Sequence, residues 1–364
     1  MEFLPRSLGT RPRLACEVRA EGVVAARAED AQAILSAVAR VPLGDGVVIP
    51  HLHGAEAGAD AGASARAGMM AGRGALVAAV RKALESVSLK TREVTLVVPD
   101  SAVRVLLLDF DALPAKHAEA LPVVRFRLKK LLPFDADDAA VSYQVMSTTR
   151  EGLQVLAVAM PAELQAEYES VVREAGFEPG AVLPSTLAAL AGLGDGDVPM
   201  LVVNAGQDGV TTAIVKAGVL LLHRTVDLTM GVGDGDEEYA PVEPVDTSLS
   251  AIAARMANSE NRLPTREQKI DAAASANEVA QAVSVAAAYF EDTLETTPAV
   301  VLSAGTLGAT ALTTMIDDAG VGLGPATVQE ILDRQMLGAG AGSAGMAGGI
   351  PLGWLAGVRG ALAH

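Results

Sequence analysis

Two short stretches of this sequence carry residue types that can grip a phosphate group. The first is Ala205-Gly206-Gln207-Asp208-Gly209, followed by Thr211 and Thr212. Two glycines and an aspartate suit a tight turn. Consecutive backbone N–H groups in such a turn form a concave seat for an anion, and nearby threonine hydroxyls add donors. The second is Ser303-Ala304-Gly305-Thr306, which closes a short apolar run. The candidate cofactor-binding residues are therefore Gly206, Asp208, Gly209, Thr211, Thr212, Gly305 and Thr306, with no catalytic residue and no metal ligand assigned. A plain hairpin in an α/β domain also accounts for the first stretch.

Other chemical candidates have ordinary explanations beside the functional one. His51 and His53 flank Leu52 and could present two imidazoles on one face of a strand. No cysteine or carboxylate follows at ligand spacing, so a solvated strand end is the simpler reading. Arg125, Arg127, Lys129 and Lys130 form a basic cluster. It is either a solvated helix face or a contact for acidic headgroups or an acidic partner. Cys16 is the single cysteine, which excludes an intrachain disulfide and fits a reducing compartment. It sits in an expected strand and reads as a buried structural thiol.

The elements that must position these residues follow from hydrophobic pattern. Met200 to Asp227 reads as strand, turn, strand, turn, strand. Leu14 to Arg19 and Gly22 to Ala28 predict two earlier strands, and Val47 to Pro50 a third, with Asp30 to Ala39 a short helix or a loop. The stretch from Gly54 to Gly74 is biased to Ala and Gly and reads as a surface loop. Gly74 to Val87 predicts a helix with Leu76, Val80, Ala83, Leu84 and Val87 on one stripe. Thr95 to Val98 predicts a buried strand. Next comes a strand from Val103 to Phe110, then a helix from Leu113 carrying Leu121, Val124, Leu128 and Leu131, interrupted by Pro122. Strands at Val141 to Met146 and Leu153 to Ala159 and a helix from Ala162 to Ala175 complete a small α+β unit. Pro184 to Leu193, Thr247 to Ala257, Asn277 to Leu294, Leu307 to Ala319 and Val328 to Leu337 predict helices. Asp234 to Glu238 and Glu267 to Asp271 are expected as exposed loops.

Composition bounds the answer further. The chain has 364 residues, which suits two or three lobes. Half of it is hydrophobic, yet only 3% is aromatic, so its cores must be built from Ala, Val and Leu. The formal net charge of -16 argues against a broad nucleic-acid surface and favours basic partners. The N-terminal stretch lacks the continuous apolar run of a signal peptide. Between Arg334 and Arg359 there is no charge, but the Gly/Ala/Ser tract from Gly338 to Gly349 is too poor in large apolar residues for a spanning helix. A connector followed by a short apolar docking tail is expected.

The order of these pieces resembles the actin-like, ribonuclease-H-related ATPase fold: α/β, two-lobed, with an inserted small α+β lobe. Within it the chain is similar to the PilM family of type IV pilus assembly. The stretches that carry the likeness are Val98-Pro99-Asp100-Ser101-Ala102-Val103, Leu113-Pro114, Arg125 to Leu132, Pro133-Phe134-Asp135 through Tyr143-Gln144-Val145, Glu174 through Pro179, and Gly353-Trp354-Leu355-Ala356-Gly357. The cytoplasmic part of the type II secretion protein GspL shares the architecture, and a GspL-like type II secretion component is a close rival reading. The resemblance implies residues 1–102 and 179–198 as a first actin-like lobe and 103–178 as the inserted lobe. Residues 199–337 would form the second lobe and 338–364 the connector and tail. It implies a cytoplasmic scaffold peripheral to the inner membrane. Such a scaffold would bind the N-terminal peptide of a PilN-like protein and work with inner-membrane platform proteins and a motor ATPase. The peptide groove is expected beside Val94 to Val98 and Val103 to Phe110. It also implies ATP and Mg²⁺ between the lobes.

At the nucleotide site the sequence departs from the family pattern. The first hairpin, Glu17 through Val23, has no Asp-Xaa-Gly and no hydroxyl donors. The second reads Asn204-Ala205-Gly206, with Asn in place of Asp, and the third, Ser303-Ala304-Gly305, keeps one glycine of a pair. Weak or absent nucleotide binding without hydrolysis is the expectation. The rivals are an active ATPase or sugar-kinase-like enzyme, which needs a catalytic Asp, and a filament protein of the FtsA kind, which needs a basic amphipathic C-terminal helix.

Overall fold

The computed structural model describes residues 12–30, 32–48, 52, 72–150, 152–194, 196–228, 266–324, 326–338, 341 and 350–363. Side chains of the long helix are described from residue 275 onward. Two five-stranded sheets share one topology. In the first, β1 (Leu14–Arg19), β2 (Gly22–Ala28) and β3 (Leu35–Pro42) form an antiparallel meander. Helix α1 (Arg73–Val87) follows, and β4 (Glu93–Val98) returns parallel to β1. After helix α3 (Ala162–Glu174), β8 (Glu178–Pro184) joins parallel to β4, giving the order β3-β2-β1-β4-β8.

The second sheet repeats the plan. The meander is β9 (Met200–Ala205), β10 (Gly209–Lys216) and β11 (Val219–Asp227). Helix α5 (Arg266–Leu294) leads to β12 (Val300–Gly305), and helix α6 (Ala309–Asp318) to β13 (Thr327–Glu330), in the order β11-β10-β9-β12-β13. Between β4 and α3 the first unit carries an insertion. A three-residue 3-10 turn at Asp100–Ala102 leads into β5 (Arg104–Phe110), helix α2 (His117–Leu128), β6 (Ala139–Thr148) and β7 (Leu153–Pro161). These strands form a separate sheet, β5-β7-β6.

Each sheet is covered by the helices its own strands feed. Leu76, Val80, Leu84 and Val87 of α1 and Leu164, Tyr168 and Val171 of α3 bury one face of the first sheet. The apolar stripe read from the sequence for α1 is thus the buried one. On the second sheet, Val279, Val283, Ala286 and Phe290 of α5 pack with Leu312 and Ile316 of α6. The inserted sheet packs on Val124 and Leu128 of α2.

The two halves meet through short helices that follow the last strand of each. Helix α4 (Ser185–Ala191) follows β8, and α7 (Leu352–Leu362) follows β13. After β13, Gly338 N–H donates to the Leu35 carbonyl, so the chain is drawn back onto the first sheet. Trp354, Leu355 and Val358 of α7 then pack with Val24, Val38 and Leu183. The expected tail therefore docks as a buried helix in the body of the protein. That packing leaves α7 no exposed amphipathic face.

Several local expectations are corrected. The third strand of the first meander is Leu35–Pro42, not Val47 to Pro50. Its pairing with β2 across a turn overrides a weak local pattern. Glu178–Pro184 is a strand despite Pro and Gly because it lies at a sheet edge. Thr327–Glu330 is a strand and Arg334–Met336 a 3-10 turn, where one helix was expected, and Glu267 to Asp271, expected as a loop, lie in the first turns of α5. Leu131 is 49% exposed rather than on the apolar stripe of α2, which is Ala120, Val124 and Leu128. The loops expected at Gly54 to Gly74 and Asp234 to Glu238 and the helix expected at Thr247 to Ala257 fall wholly or almost wholly outside the described residues. So do His51 and His53.

Close approach of α4 and α7 depends on glycine. A Cβ at Gly360 would lie 1.8 Å from the Ala188 carbonyl oxygen, which is backbone and cannot turn aside. Gly360→Ala is expected to destabilise the protein by about 3 kcal/mol or more, the upper range for overpacking. Urea denaturation measures it, and an unchanged midpoint would contradict this packing.

Candidate functional site

The two meanders point their first turns at each other. Strand β1 is central in its sheet and carries two polar residues, Glu17 and Arg19, into the space between the lobes. Both are buried, at 0% and 5% exposure. Arg19 Nε donates to Glu17 Oε1 at 2.7 Å. Its Nη2 donates to Ser185 Oγ at 2.5 Å and to Asn204 Oδ1 at 2.8 Å. The guanidinium fork thus ties β1 to the first turn of α4 and to β9 of the other lobe. Ser185 Oγ in turn donates to Glu17 Oε1 at 2.7 Å.

Asp100 lies in the turn after β4, and its carboxylate accepts from the Thr186 N–H at 3.0 Å and the Thr186 hydroxyl at 2.5 Å. It thereby caps the start of α4 with the charge that a helix N-terminus favours. The Asn204 amide nitrogen donates to the same carboxylate at 3.2 Å. This geometry explains the asparagine that departs from the expected aspartate. A second carboxylate at 204 would set like charge against Asp100, whereas the amide serves Arg19 with its oxygen and Asp100 with its nitrogen.

The candidate residues separate into three groups. Gly206, Gly305 and Thr306 come together with Glu21 of the β1–β2 turn. Glu21 Oε1 accepts from the Gln207 N–H at 2.6 Å and from the Thr306 hydroxyl at 2.5 Å. Gly305 has φ +84, and a Cβ there would lie 2.3 Å from the Ala205 carbonyl oxygen, so only glycine fits. Asp208 turns to the first lobe and accepts from Ser101 Oγ at 3.1 Å. Gly209, Thr211 and Thr212 belong to strand β10. The Thr211 hydroxyl shares a hydrogen with Thr225 of β11 at 3.0 Å, and Thr212 is buried in the sheet.

Backbone donors of the two turns are likewise engaged. Gly206 N–H donates to the Gly209 carbonyl at 3.0 Å and Thr306 N–H to the Ala205 carbonyl at 2.9 Å. A phosphate at this point would meet the Glu21 carboxylate on the Gln207 and Thr306 donors, with Glu17, Asp100 and Asp208 close behind. The residues present do not fit a phosphate group as they are arranged.

Charge in the cleft is strongly coupled. Burial works against the Arg19 cation, but Glu17, Asp208 and Glu21 outweigh it and hold the guanidinium charged. Burial pushes the Glu17 carboxyl up, opposed by Arg19 and the Ser185 hydrogen bond. Asp208 is pushed up to about 6 by burial, with Arg19 opposing and Glu21 reinforcing the rise. His223 of β11 is driven down by burial, with Asp100 opposing. Cys16 is a buried free thiol, as expected, and burial raises it.

The sequence reading missed Ser185, Thr186 and the role of Asp100. A signal existed: Glu17 and Arg19 are charged residues inside an otherwise apolar strand, which calls for buried partners elsewhere. The basic cluster on α2 is dispersed. Arg125 bonds the Ala136 and Ala139 carbonyls and Lys129 pairs with Asp137 at 2.5 Å, leaving Arg127 and Lys130 on the surface. Val94 to Val98, expected beside a peptide groove, are buried in the interior strand β4 and cannot line one. Among the described residues no group of acidic, histidine or cysteine side chains is arranged to hold a metal ion.

Comparison with known proteins gives the fold. No family model and no curated protein matches the sequence. A solved structure described as a PilM-PilN type IV pilus biogenesis complex matches with a TM-score of 0.62 at 17% identity, over 97% of each chain. The fold is actin-like. The match spans both repeated lobes and the inserted sheet. The cytoplasmic domain of EpsL, an inner membrane component of the type II secretion system of Vibrio cholerae, matches at TM-score 0.36 and 14% identity, over 68% of this chain and 94% of that one. The ethanolamine utilization protein EutJ from Carboxydothermus hydrogenoformans matches at TM-score 0.42 and 13% identity, over 98% of this chain and 92% of that one.

Two outcomes test the network. Arg19→Met leaves Glu17, Ser185 and Asn204 without their shared donor, and is expected to cost about 3–5 kcal/mol in denaturant unfolding. Asp208 binds a proton near pH 6 when folded and near 3.8 in its ordinary state. The folded form therefore takes up a proton between these values, and this group's penalty is present above pH 6 and relieved as pH falls toward 4. Asp208→Asn is expected to be more stable than the native chain at pH 8, by on the order of 3 kcal/mol. That gap should close near pH 4, and paired denaturation curves across pH would show it.

Proposed function

We propose that this protein is a cytoplasmic scaffold of a type IV pilus inner-membrane platform, peripheral to the membrane, that binds the N-terminal peptide of a PilN-like protein. The observation that carries the reading is the likeness to the PilM-PilN structure over nearly the whole chain, inserted sheet included. Three units share the work: two actin-like lobes with the C-terminal helix between them, and the inserted lobe as the peptide-binding module. Platform proteins and a motor ATPase would be further partners.

In this reading the cleft is structural, with ATP and Mg²⁺ binding weak and hydrolysis lost. The engaged donors and the crowd of carboxylates around Arg19 support that view. Among the described residues no helix is long and apolar enough to cross a membrane; in this reading the membrane-embedded partner supplies the attachment. Strand β5 is an edge strand, paired among the described residues with β7 alone, and its Leu106, Leu107 and Phe110 are half-buried. An extended peptide can add to such an edge by main-chain hydrogen bonds with apolar anchors. The net charge of -16 favours a basic peptide.

Titration of a synthetic N-terminal peptide of the PilN-like protein, with hydrogen exchange as the readout, tests the site. Slowed exchange across residues 104–110 is expected. Binding that protects other elements would move the site, and no binding would end the assignment. Mg-ATP titrated in the same experiment should bind no tighter than millimolar.

A further inference from the structure

Glu21 holds an unusual position for a carboxylate. It projects from the β1–β2 turn of the first lobe, and both its hydrogen-bond partners lie on the second lobe. One is a backbone N–H at the tip of a glycine turn, and the other is the hydroxyl at the end of β12. Two neutral donors converge on Oε1, while Oε2 is buried without a hydrogen-bond partner among the described residues. Gly206 sits against the group: a Cβ there would lie 2.8 Å from Glu21 Oε1, 3.1 Å from Thr306 Oγ1 and 3.3 Å from Arg19 Nη1. Donor turn, hydroxyl and cation therefore border one small space, and Glu21 fills it. Glu21 and Gly206 are only partly buried and Gln207 is exposed, so the space lies at the solvent rim.

We infer that the Glu21 carboxylate is an internal anion seated where a phosphate group would bind, and that removing it opens the seat to a phosphate-bearing ligand. The chemistry follows from the donors. A backbone N–H in a tight turn, a hydroxyl and a guanidinium make an anion seat whatever the anion is. A tethered carboxylate occupies it without the entropy loss of recruiting a free ligand. It satisfies the donors with one oxygen and leaves the other unpaired, so a phosphate, with three acceptor oxygens, can use the site more fully once the tether is gone. Glu17 and Asp208 remain behind the seat and will keep the gained affinity modest.

The inference rests on the reading of the cleft as closed to nucleotide and not on the pilus assignment. Calorimetric titration of the full chain with inorganic pyrophosphate, ATP and adenosine tests it. The native chain should bind none of them appreciably. Glu21→Ala should bind pyrophosphate and ATP at least about tenfold tighter than the native chain, and adenosine no better. Glu21→Ser, smaller and still polar, should behave the same way if the alanine variant folds poorly. Adding Gly206→Ala to either variant should abolish the gain, because the new methyl enters the seat. A folded Glu21 variant with no gain overturns the plug alone. Gain for adenosine as well as ATP shows a base pocket and also overturns it. Tight ATP binding by the native chain overturns both the plug and the closed-cleft reading.

Discussion

The buried guanidinium of Arg19 is the interaction on which the arrangement of the two lobes depends. A charge this deep is tolerated only when its donors are met by acceptors and its charge by a counter-ion. Glu17 supplies the charge from the same strand, Ser185 joins it from α4, and Asn204 reaches it from the opposite sheet. No single lobe holds all of these groups. The cation is satisfied only when the lobes are closed on each other, so the network sets their mutual position as well as their stability. Such pairs fix geometry more than they add net stability, because desolvation cancels much of the attraction. Asp208 shows the cost, with its charged form disfavoured by burial.

Small residues make that closeness attainable. The interiors are mostly Ala, Val and Leu, which lets backbones approach where bulkier side chains would hold them apart. Gly357 on α7 leaves room for Glu17, since a Cβ there would lie 2.7 Å from Oε2. Gly360 does the same for the backbone of α4. The large residue of α7, Trp354, points the other way into the first sheet, with the Arg40 guanidinium 4.9 Å from its ring centre. One helix thus presents glycine to the polar network and an aromatic anchor to the apolar core. This is why the C-terminal segment acts as a keystone between the lobes.

Groups from both lobes share the buried network, so the network is complete only in the closed arrangement. Nucleotide-driven domain motion needs two arrangements of similar energy that a ligand can distinguish. Here the close glycine contacts of α7, the Asn204 bridges and the Glu21 contacts all belong to one arrangement.

Local pattern was sufficient for much of the architecture. The meander from Met200 to Asp227 announces itself by β-branched runs and glycine turns, and α1 and α5 by apolar residues at helical spacing. Where pattern failed, pairing had taken over. Leu35–Pro42 and Thr327–Glu330 are strands because a neighbouring strand offers hydrogen bonds, and Glu178–Pro184 because a sheet edge tolerates its proline. The phosphate-like turns were visible in the chain, as was their departure from the family pattern. Their occupant was not. Glu21 and Thr306 are 285 positions apart, and Arg19 and Asn204 are 185 apart. Residue types can say that a turn suits an anion. Which anion fills it depends on how two sheets close around one buried cation, and that is a property of the folded chain.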